Sequence, residues 1–344
     1  MMVKVALIGA GKMGISHLSL LGANPQVEIV GVSDTSKMVL DVFKKYSSFP
    51  CYQDYEEMLF KTKPDAVVIA VPTKFHATMV RKVLDMDMHV FAEKPLCLTS
   101  EEGKALVAIA KQKNVVNQVG YHNKFLGTFQ EVKRLLDGEF LGSLFHFQGE
   151  SYGPVVIKHK QENWRSDPKE GGGCLMDYAS HVIDLINHLL GPITKVRGSL
   201  LKSFYSKNVE DSVFSLLEIT PGLTGVLSVN WSDETYRKMS TSITIMGSEG
   251  KIICDANELR VYFKSANCPE GYSKGWNVKY LTELTPNVDF YLRGEEYSSQ
   301  LDYFIEAVYK KTPNTINTFQ SAWQTDNVIS LIKENVLNLE SLKN

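Results

Sequence analysis

The sequence predicts an α/β domain followed by an α+β domain with a largely antiparallel sheet, and three observations support this. Short apolar strand patterns alternate with amphipathic helical patterns over the first third of the 344 residues, which is typical of a parallel sheet with helices on both faces. The first strand pattern runs directly into a glycine-rich turn. In the second half, strand patterns follow one another with turn residues between them, as in an antiparallel sheet.

The first predicted domain is built from alternating strands and helices. Its strands are expected at 3–8, 27–33, 66–71, 89–92 and 115–119. Its helices are expected at 12–23, 36–46, around 55–59, at 76–86 and at 99–113. Right-handed crossovers give a doubly wound sheet, which binds ligands at the carboxyl ends of its strands. Because the alternation ends near Gly120, this domain is predicted to span residues 1–121.

The second predicted domain covers residues 122–344 and is richer in strands. Helical patterns occupy 127–138 and 175–190, and strand patterns occupy 144–151, 194–205, 210–219, 224–231, 240–246, 250–254 and 258–263. The segment 265–295 is rich in Tyr, Gly and Pro and has no clear pattern. Two helical patterns, at 295–310 and 318–338, end the chain.

The glycine-rich turn has the spacing G-x-G-x-x-G, with Lys12 and Met13 inside it. In such a turn Gly9 permits the sharp bend, Gly11 lets a pyrophosphate approach the backbone, and Gly14 lets the helix pack closely on the strand. The following helix directs its free N–H groups and positive dipole end at phosphate oxygens. A strand before the turn and an amphipathic helix after it predict a Rossmann dinucleotide-binding domain.

Asp34 ends the second strand pattern, 20 residues after Gly14. At this spacing a carboxylate reaches the ribose hydroxyls of adenosine, and its charge would repel a 2′-phosphate. The sequence therefore predicts NAD as the cofactor. Lys37 keeps NADP open, because a nearby cation offsets part of that repulsion.

Composition excludes several classes of function. A net charge of -2 gives no electrostatic basis for binding nucleic acid or an anionic membrane. No apolar stretch approaches the ~20 residues of a membrane span, and no signal-peptide pattern opens the chain. The five scattered cysteines lack C-x-x-C spacing and the eight histidines lack ligand spacing. We therefore expect a cytoplasmic protein without a metal site.

The first candidate catalytic residue is Lys94, in the run Glu93-Lys94-Pro95 that follows the strand at 89–92. Pro95 restricts Lys94 to an extended conformation, which sets the direction of its side chain. A lysine at the carboxyl end of a strand beside a nicotinamide can donate to a substrate oxygen and polarise it. The alternative is an ordinary solvated lysine.

A second candidate group lies on the helix at 175–190, after a run of three glycines at 171–173. Asp177, His181 and Asp184 are spaced i, i+4 and i+7, so they share one helix face. Histidine is suited to passing a proton near neutral pH, and a neighbouring carboxylate can stabilise its charged form. The glycine run allows close approach of the backbone to a ligand or to the other domain. The alternative is a surface helix with a weak Asp–His pair.

These three motifs in this order resemble those of the Gfo/Idh/MocA family of oxidoreductases, over essentially the whole chain. The resemblance implies that Lys94 assists proton transfer at the substrate, that His181 is the acid/base, and that Asp177 assists it. It also implies a cofactor site that includes the segment after the third strand and the E-K-P motif, here Val71, Pro72, Thr73, His76, Glu93 and Lys94.

The resemblance further points to residues near the substrate. Trp164 and Arg165 match a pair that often lies near the cofactor or substrate, and Tyr121 and Asn123 belong to a segment that follows the last strand of the first domain. That segment departs from the family pattern, which commonly has an arginine there. Further departures occur at Thr73–Phe75, Tyr178 and Ala179. A cationic set could receive a diphosphate or be a solvated loop: Lys158, His159, Lys160 and Arg165.

The function that these observations predict is NAD(P)-dependent hydride transfer to or from a secondary alcohol or ketone of a sugar, cyclitol or nucleotide-linked sugar. Two alternatives stay open: an NAD-recycling glycosidase on the same scaffold and a non-catalytic NAD(P)-binding regulator. The resemblance also implies a homodimer or homotetramer that pairs through the outer face of the second-domain sheet. Apolar side chains such as Leu216 and Val226, alternating with others along 210–231, agree with this.

Overall fold

The computed structural model describes residues 2–158, 164–220 and 222–337. The chain divides into two compact units. The first unit contains the residues up to His122 together with Asn287–Trp323, and the second contains Asn123–Pro286 with the residues from Gln324 onward.

The regular elements are numbered in chain order. The strands are β1 (Val3–Ile8), β2 (Val27–Ser33), β3 (Cys51–Tyr52), β4 (Ala66–Ile69), β5 (His89–Ala92), β6 (Asn117–Val119), β7 (Leu144–Tyr152), β8 (Lys195–Lys202), β9 (Ser212–Thr220), β10 (Leu223–Asn230), β11 (Ser240–Gly247), β12 (Gly250–Asp255), β13 (Glu258–Phe263) and β14 (Gly275–Tyr280). The α-helices are α1 (Lys12–Ala23), α2 (Lys37–Tyr46), α3 (Tyr55–Thr62), α4 (His76–Asp85), α5 (Ser100–Lys113), α6 (Gly127–Asp137), α7 (Val155–Lys158), α8 (Ser180–Leu190), α9 (Leu281–Leu284), α10 (Glu295–Lys310) and α11 (Phe319–Glu334). In the described part of the chain, no helix is both long enough and apolar enough to span a bilayer.

The first unit contains a six-stranded sheet in the order β3-β2-β1-β4-β5-β6. Each neighbouring pair is parallel. This is the doubly wound order, in which the chain reverses direction across the sheet between β1 and β4. The carboxyl ends of these two strands therefore form the edge at which such a sheet binds its ligand.

Both faces of this sheet are buried, because helices cover each of them. Alternate residues of β1 belong to different cores: Val5 and Leu7 pack with side chains of α1 and α10. Ala6 and Ile8 pack instead with side chains of α3, α4 and α5. The continuous apolar character of the strands follows from this two-sided burial.

The return of α10 to the first unit is a feature that a division by sequence position does not anticipate. Residues 295–310 fall within the predicted second domain, but Leu301, Phe304 and Ile305 pack in the same core as Val5. The Phe304 ring meets Phe91 of β5 edge-on at 5.9 Å. Helix α10 therefore completes the cover of one sheet face.

The second unit contains an eight-stranded mixed sheet in the order β14-β13-β12-β11-β7-β10-β9-β8. All neighbouring pairs are antiparallel except β7 with β10. Helix α8 packs closely on β7 at Gly149. A Cβ atom at this position would come within 2.6 Å of the Val182 side chain and 2.8 Å of the Ile186 side chain. The predicted fold class, a Rossmann domain followed by a largely antiparallel α+β domain, is confirmed.

Differences from the predicted elements are local. The two-residue strand β3 was not predicted, and the segment 265–295 contains β14 and α9. The predicted helix at 175–190 begins as a π-helical turn, Leu175–Ala179, before α8. The last predicted helix ends at Glu334, and its predicted final residue, 338, lies outside the described residues.

Candidate active site

The three glycines of the turn after β1 are in three different environments. Gly9 has a φ of 91°, and a Cβ atom there would lie 2.5 Å from the Ala70 carbonyl oxygen. A Cβ atom at Gly14 would overlap the Gly9 carbonyl. At Gly11 a Cβ atom would meet nothing within 4 Å. The turn therefore combines a sharp bend, close helix–strand packing and one open stretch of backbone, which is what a bound pyrophosphate needs.

The first turn of α1 adds to this fit. Gly11 is the N-cap residue and provides no side-chain cap for the helix. The N–H groups at a helix start have no intrahelical partner and attract anions. Lys12 is exposed and Met13 is half-buried in this turn.

Asp34 is held beside the glycine-rich turn by the backbone. Its Oδ2 accepts a hydrogen bond from the Ala10 N–H at 2.8 Å, and its Oδ1 accepts one from the Ser36 N–H at 2.8 Å. Because both oxygens accept from fixed donors, the carboxylate has a defined orientation at the end of β2. Asp34 is half-buried and Lys37 is exposed.

His76 joins the segments that follow β4 and β5. Its Nδ1 lies 2.9 Å from the Pro95 carbonyl oxygen and its Nε2 lies 2.9 Å from that of Val71. Burial lowers the pKa of His76, although the two carbonyls act in the opposite direction. A neutral imidazole carries one N–H, so it donates to one carbonyl at a time. Pro72 before it is exposed and Thr73 is buried.

Glu93 and Lys94 extend from the carboxyl end of β5. Glu93 Oε1 lies 2.5 Å from His17 Nε2 of α1, and its Oε2 accepts a hydrogen bond from the Lys94 N–H at 3.2 Å. Burial raises the pKa of Glu93, but the hydrogen bond from His17 and the Lys94 ammonium hold it below its ordinary value. Sequence reasoning missed His17, although it follows Gly14 by three residues and so lies on the same side of α1.

In the second unit, Arg165 and Asp177 form an ion pair. Arg165 Nε donates to Asp177 Oδ2 at 2.9 Å, and the guanidinium lies 4.4 Å from the centre of the Trp164 ring. Asp177 is 5% exposed, whereas the Arg165 side chain is 34% exposed. The structure thus brings together the Trp164–Arg165 pair and Asp177, which the sequence analysis had selected for separate reasons.

The π-helical turn that carries Asp177 is anchored by Glu210, which sequence reasoning missed. Glu210 Oε1 accepts a hydrogen bond from the Leu175 N–H at 2.8 Å, and its carbonyl accepts one from the Cys174 N–H at 3.0 Å. A Cβ atom at Gly173 would overlap this carboxylate. Burial raises the pKa of Glu210, against the effect of the Leu175 hydrogen bond. Such π turns are frequent at functional sites.

His181 and Asp184 follow on α8, and both are buried. Asp184 Oδ1 lies 2.8 Å from Lys124 Nζ, with the two side chains only 1% and 2% exposed. Burial raises the pKa of Asp184 to about 6, although Lys124 acts to lower it. Asp184 therefore has a charged partner deep in the unit, which the helical spacing with His181 did not indicate.

The remaining predicted residues have less informative surroundings. Tyr121 of the first unit and Asn123 of the second are both buried. Of the cationic set, His159, Lys160 and the Lys158 side chain lie outside the described residues.

Comparison with protein families gives two matches. Residues 3–121 match the model described as oxidoreductase family, NAD-binding Rossmann fold, and residues 129–253 match the GFO/IDH/MocA C-terminal domain. The chain belongs to the Gfo/Idh/MocA oxidoreductase family. The family resemblance inferred from the motifs is confirmed, and so is the NAD-binding Rossmann domain.

Individual relatives of this family member are distant. The scyllo-inositol 2-dehydrogenase (NAD(+)) of Bacillus subtilis is 27% identical over 324 residues, which cover 90% of this chain and 88% of that protein. An uncharacterized oxidoreductase of Schizosaccharomyces pombe is 26% identical over 58% of this chain and only 55% of its own length. A levoglucosan dehydrogenase solved with NADH and levoglucosan has a TM-score of 0.87 at 21% identity, covering 97% of each chain.

The buried Asp184 generates a prediction about stability and pH. Its folded-state pKa of about 6 lies above the ordinary 3.8, so the folded protein holds this proton more tightly than the unfolded chain does. Raising the pH from about 4 to about 6 then favours unfolding. We expect the stability of the wild type, relative to Asp184→Asn, to fall over this interval in urea titrations.

The matched control for this experiment is Asp137→Asn. Asp137 lies in the same unit and also pairs with a lysine, but its side chain is 61% exposed. Its effect on the unfolding free energy should stay within about 1 kcal/mol at every pH. If the difference in unfolding free energy between the wild type and Asp184→Asn did not change with pH, the raised pKa of this carboxyl group would be contradicted.

Proposed function

We propose that this family member is an NAD(P)-dependent dehydrogenase or reductase that acts on a secondary alcohol or ketone of a sugar, cyclitol or nucleotide-linked sugar. Two observations, one in each unit, support the proposal. Lys94 follows the carboxyl end of β5 in the first unit, and Asp177 and His181 are buried in the second. An NAD sensor has no need of such groups. The names of the relatives, which refer to inositol and levoglucosan, support the substrate class.

In this proposal the cofactor is held by the first unit. The glycine-rich turn, with Gly9, Gly11, Lys12, Met13 and Gly14, receives the pyrophosphate, and Asp34 receives the adenosine ribose. The segments after β4 and β5 complete the site with Val71, Pro72, Thr73, His76, Glu93 and Lys94. His76 is fully buried, so its part is to fix the Val71 and Pro95 carbonyls.

The chemical step divides between the chain and the cofactor. Bound NAD supplies the acceptor for hydride, which is the cofactor's own chemistry. His181 takes the hydroxyl proton as general base, and Lys94 donates to the oxygen as negative charge develops on it. Asp177, anchored by Arg165, stabilises the protonated imidazole of His181.

The proposal also assigns four residues to the substrate. Arg165 and Trp164 are partly exposed beside Asp177, so they are suited to contacting a polar substrate. Tyr121 and Asn123 are assigned with them on the family resemblance.

We also propose that the protein is a homodimer or homotetramer that pairs through the outer face of the second-unit sheet. Leu216 of β9 and Val226 of β10 are register partners on this face. Leu216 is 54% exposed, and Trp276 and Val278 of β14 are 56% and 44% exposed. An apolar face of this kind favours burial against a second copy.

The catalytic assignment predicts the effect of two substitutions. Polyols, aldoses and nucleotide sugars would be screened in both directions with NAD and NADP, following nicotinamide absorbance. With the substrate so found, His181→Ala and Lys94→Ala should each lower turnover by about 10²- to 10⁴-fold, because each removes a general acid–base contribution.

Two alanine variants serve as controls for position. His188→Ala changes a second histidine of α8, and Lys104→Ala changes an exposed lysine of α5. Both should keep turnover within about twofold of the wild type, since surface or peripheral changes have small effects. Near-normal turnover of His181→Ala and Lys94→Ala would refute the assignment.

The cofactor assignment predicts a change of preference in Asp34→Asn. The amide oxygen keeps an acceptor for one of the two backbone N–H groups, and the substitution removes the charge that repels a 2′-phosphate. The ratio of NADP to NAD affinity should rise about tenfold, which corresponds to a repulsion of ~1.4 kcal/mol near the surface. Calorimetric titration of both nucleotides measures it, and an unchanged ratio would exclude Asp34 as the ribose residue.

The oligomer assignment predicts dissociation of Leu216→Glu. A carboxylate at the centre of an apolar interface is costly to bury, so sedimentation should show a dimer or tetramer for the wild type and smaller species for the variant. The control, Phe204→Glu, places the same charge on a loop residue that is 67% exposed. It should leave the oligomer intact, and a wild type that sediments as a monomer would remove the claim.

A further inference from the structure

His17 occupies an unusual position for a helix residue beside a glycine-rich turn. It lies one turn after Gly14 on α1 and is 0% exposed. Its ring meets Phe91 of β5 edge-on at 5.3 Å. Its Nε2 is 2.5 Å from Glu93 Oε1, and its Nδ1 is buried without a hydrogen-bond partner among the described residues.

These contacts determine which ring nitrogen carries the proton. A carboxylate can only accept, so Nε2 must donate to Glu93. In this tautomer Nδ1 carries only a lone pair. Burying that lone pair costs less free energy than burying an Nδ1–H group without an acceptor. His17 therefore has one polar contact of consequence, and that contact is directed at Glu93.

Glu93 also forms a hydrogen bond with the backbone of the neighbouring lysine. Its second oxygen accepts the Lys94 N–H at 3.2 Å. The carboxylate is confined on another side by Gly120, where a Cβ atom would come within 3.2 Å of Oε2. Removing His17 would leave a buried carboxylate with one donor fewer, next to the backbone from which Lys94 projects.

We propose that His17 is a positioning residue which, through Glu93, fixes the place and surroundings of the Lys94 side chain. This inference rests on the proposed function, in which Lys94 donates to the substrate oxygen. It assigns the hydrogen bond between His17 and Glu93 a task in the reaction beyond joining α1 to β5. A side chain that is misplaced by about 1 Å can lose ~10²-fold in rate.

The kinetic test compares His17→Leu with His17→Gln. Leucine fills the space without a donor, whereas the glutamine amide can still donate to Glu93. His17→Leu should lower kcat by about 10- to 100-fold and leave the KM for NAD within about threefold. His17→Gln should keep kcat within about fivefold of the wild type, because it retains a hydrogen bond to the carboxylate.

A spectroscopic test does not depend on turnover. Reductive methylation with ¹³C-formaldehyde labels lysine amines, and the Lys94 resonance is identified by its loss in Lys94→Arg. We expect His17→Leu to shift this resonance and His17→Gln to leave it close to that of the wild type. Should His17→Leu not fold, Glu93→Gln tests the same link from its other side and should also shift the resonance.

The control is His89→Leu. His89 lies at the opposite end of β5, is half-buried, and accepts a hydrogen bond from the Val116 N–H at 2.9 Å. The same chemical change there should alter neither kcat nor the Lys94 resonance.

Two results would overturn the proposal: equal loss of kcat in the leucine and glutamine variants, or a Lys94 resonance that is unchanged in His17→Leu and Glu93→Gln. Failure of the proposed function has a different signature, because the wild type would then reduce no nicotinamide with any sugar. The resonance would still decide whether His17 positions Lys94.

Discussion

Burial of carboxyl groups is the physical constraint on which the candidate functional residues of both units depend. Removing a carboxylate from water costs several kcal/mol unless donors or an opposite charge compensate. Each pairing joins segments that are distant along the chain, so the contact that makes burial tolerable also fixes the position of a strand end or a helix. The pairs are Glu93 with His17, Asp177 with Arg165, and Asp184 with Lys124.

The three pairs differ in how far a ligand can reach them. Lys124 and Asp184 are both almost completely enclosed, so each compensates part of the cost of burying the other and neither is accessible to a ligand. Arg165 is one-third exposed. Of the three acids, Asp177 is therefore the one whose partner is accessible to solvent. Asp177 and Asp184 therefore share a helix face but have ion-pair partners that differ in exposure. Helical spacing predicts the shared face and not the partner of each residue.

Much of the fold could be predicted because its signals are local. The glycine-rich turn and the alternation of strands and helices depend on residues within a few positions of one another. Helix α10 could not be assigned to the first unit, since only the packing of Leu301 and Phe304 against β1 and β5 reveals it. Strand β14 was missed for another reason: its apolar residues, Trp276 and Val278, face outward, and neighbouring prolines and glycines obscure a short alternation.

The candidate site was predictable in part for the same reason. Lys94 and Asp34 follow strands at fixed spacings, so sequence alone could place them at strand ends. His17 and Glu210 gain meaning only from partners that are 76 and 35 residues away. A buried polar residue on the packed side of α1 was the one local signal for His17, and no local signal marked Glu210.

The glycine run at 171–173 shows how a functional signal can have a packing cause. Sequence reasoning assigned these glycines to close approach of a ligand or of the other domain. Gly173 has a φ of 103°. The Glu210 carboxylate occupies the space that a side chain at Gly173 would need, and it accepts a hydrogen bond from the Leu175 N–H. The glycine is thus required to start the π turn that carries Asp177. Its presence is explained by the shape of the helix start and alone is no argument for a bound ligand.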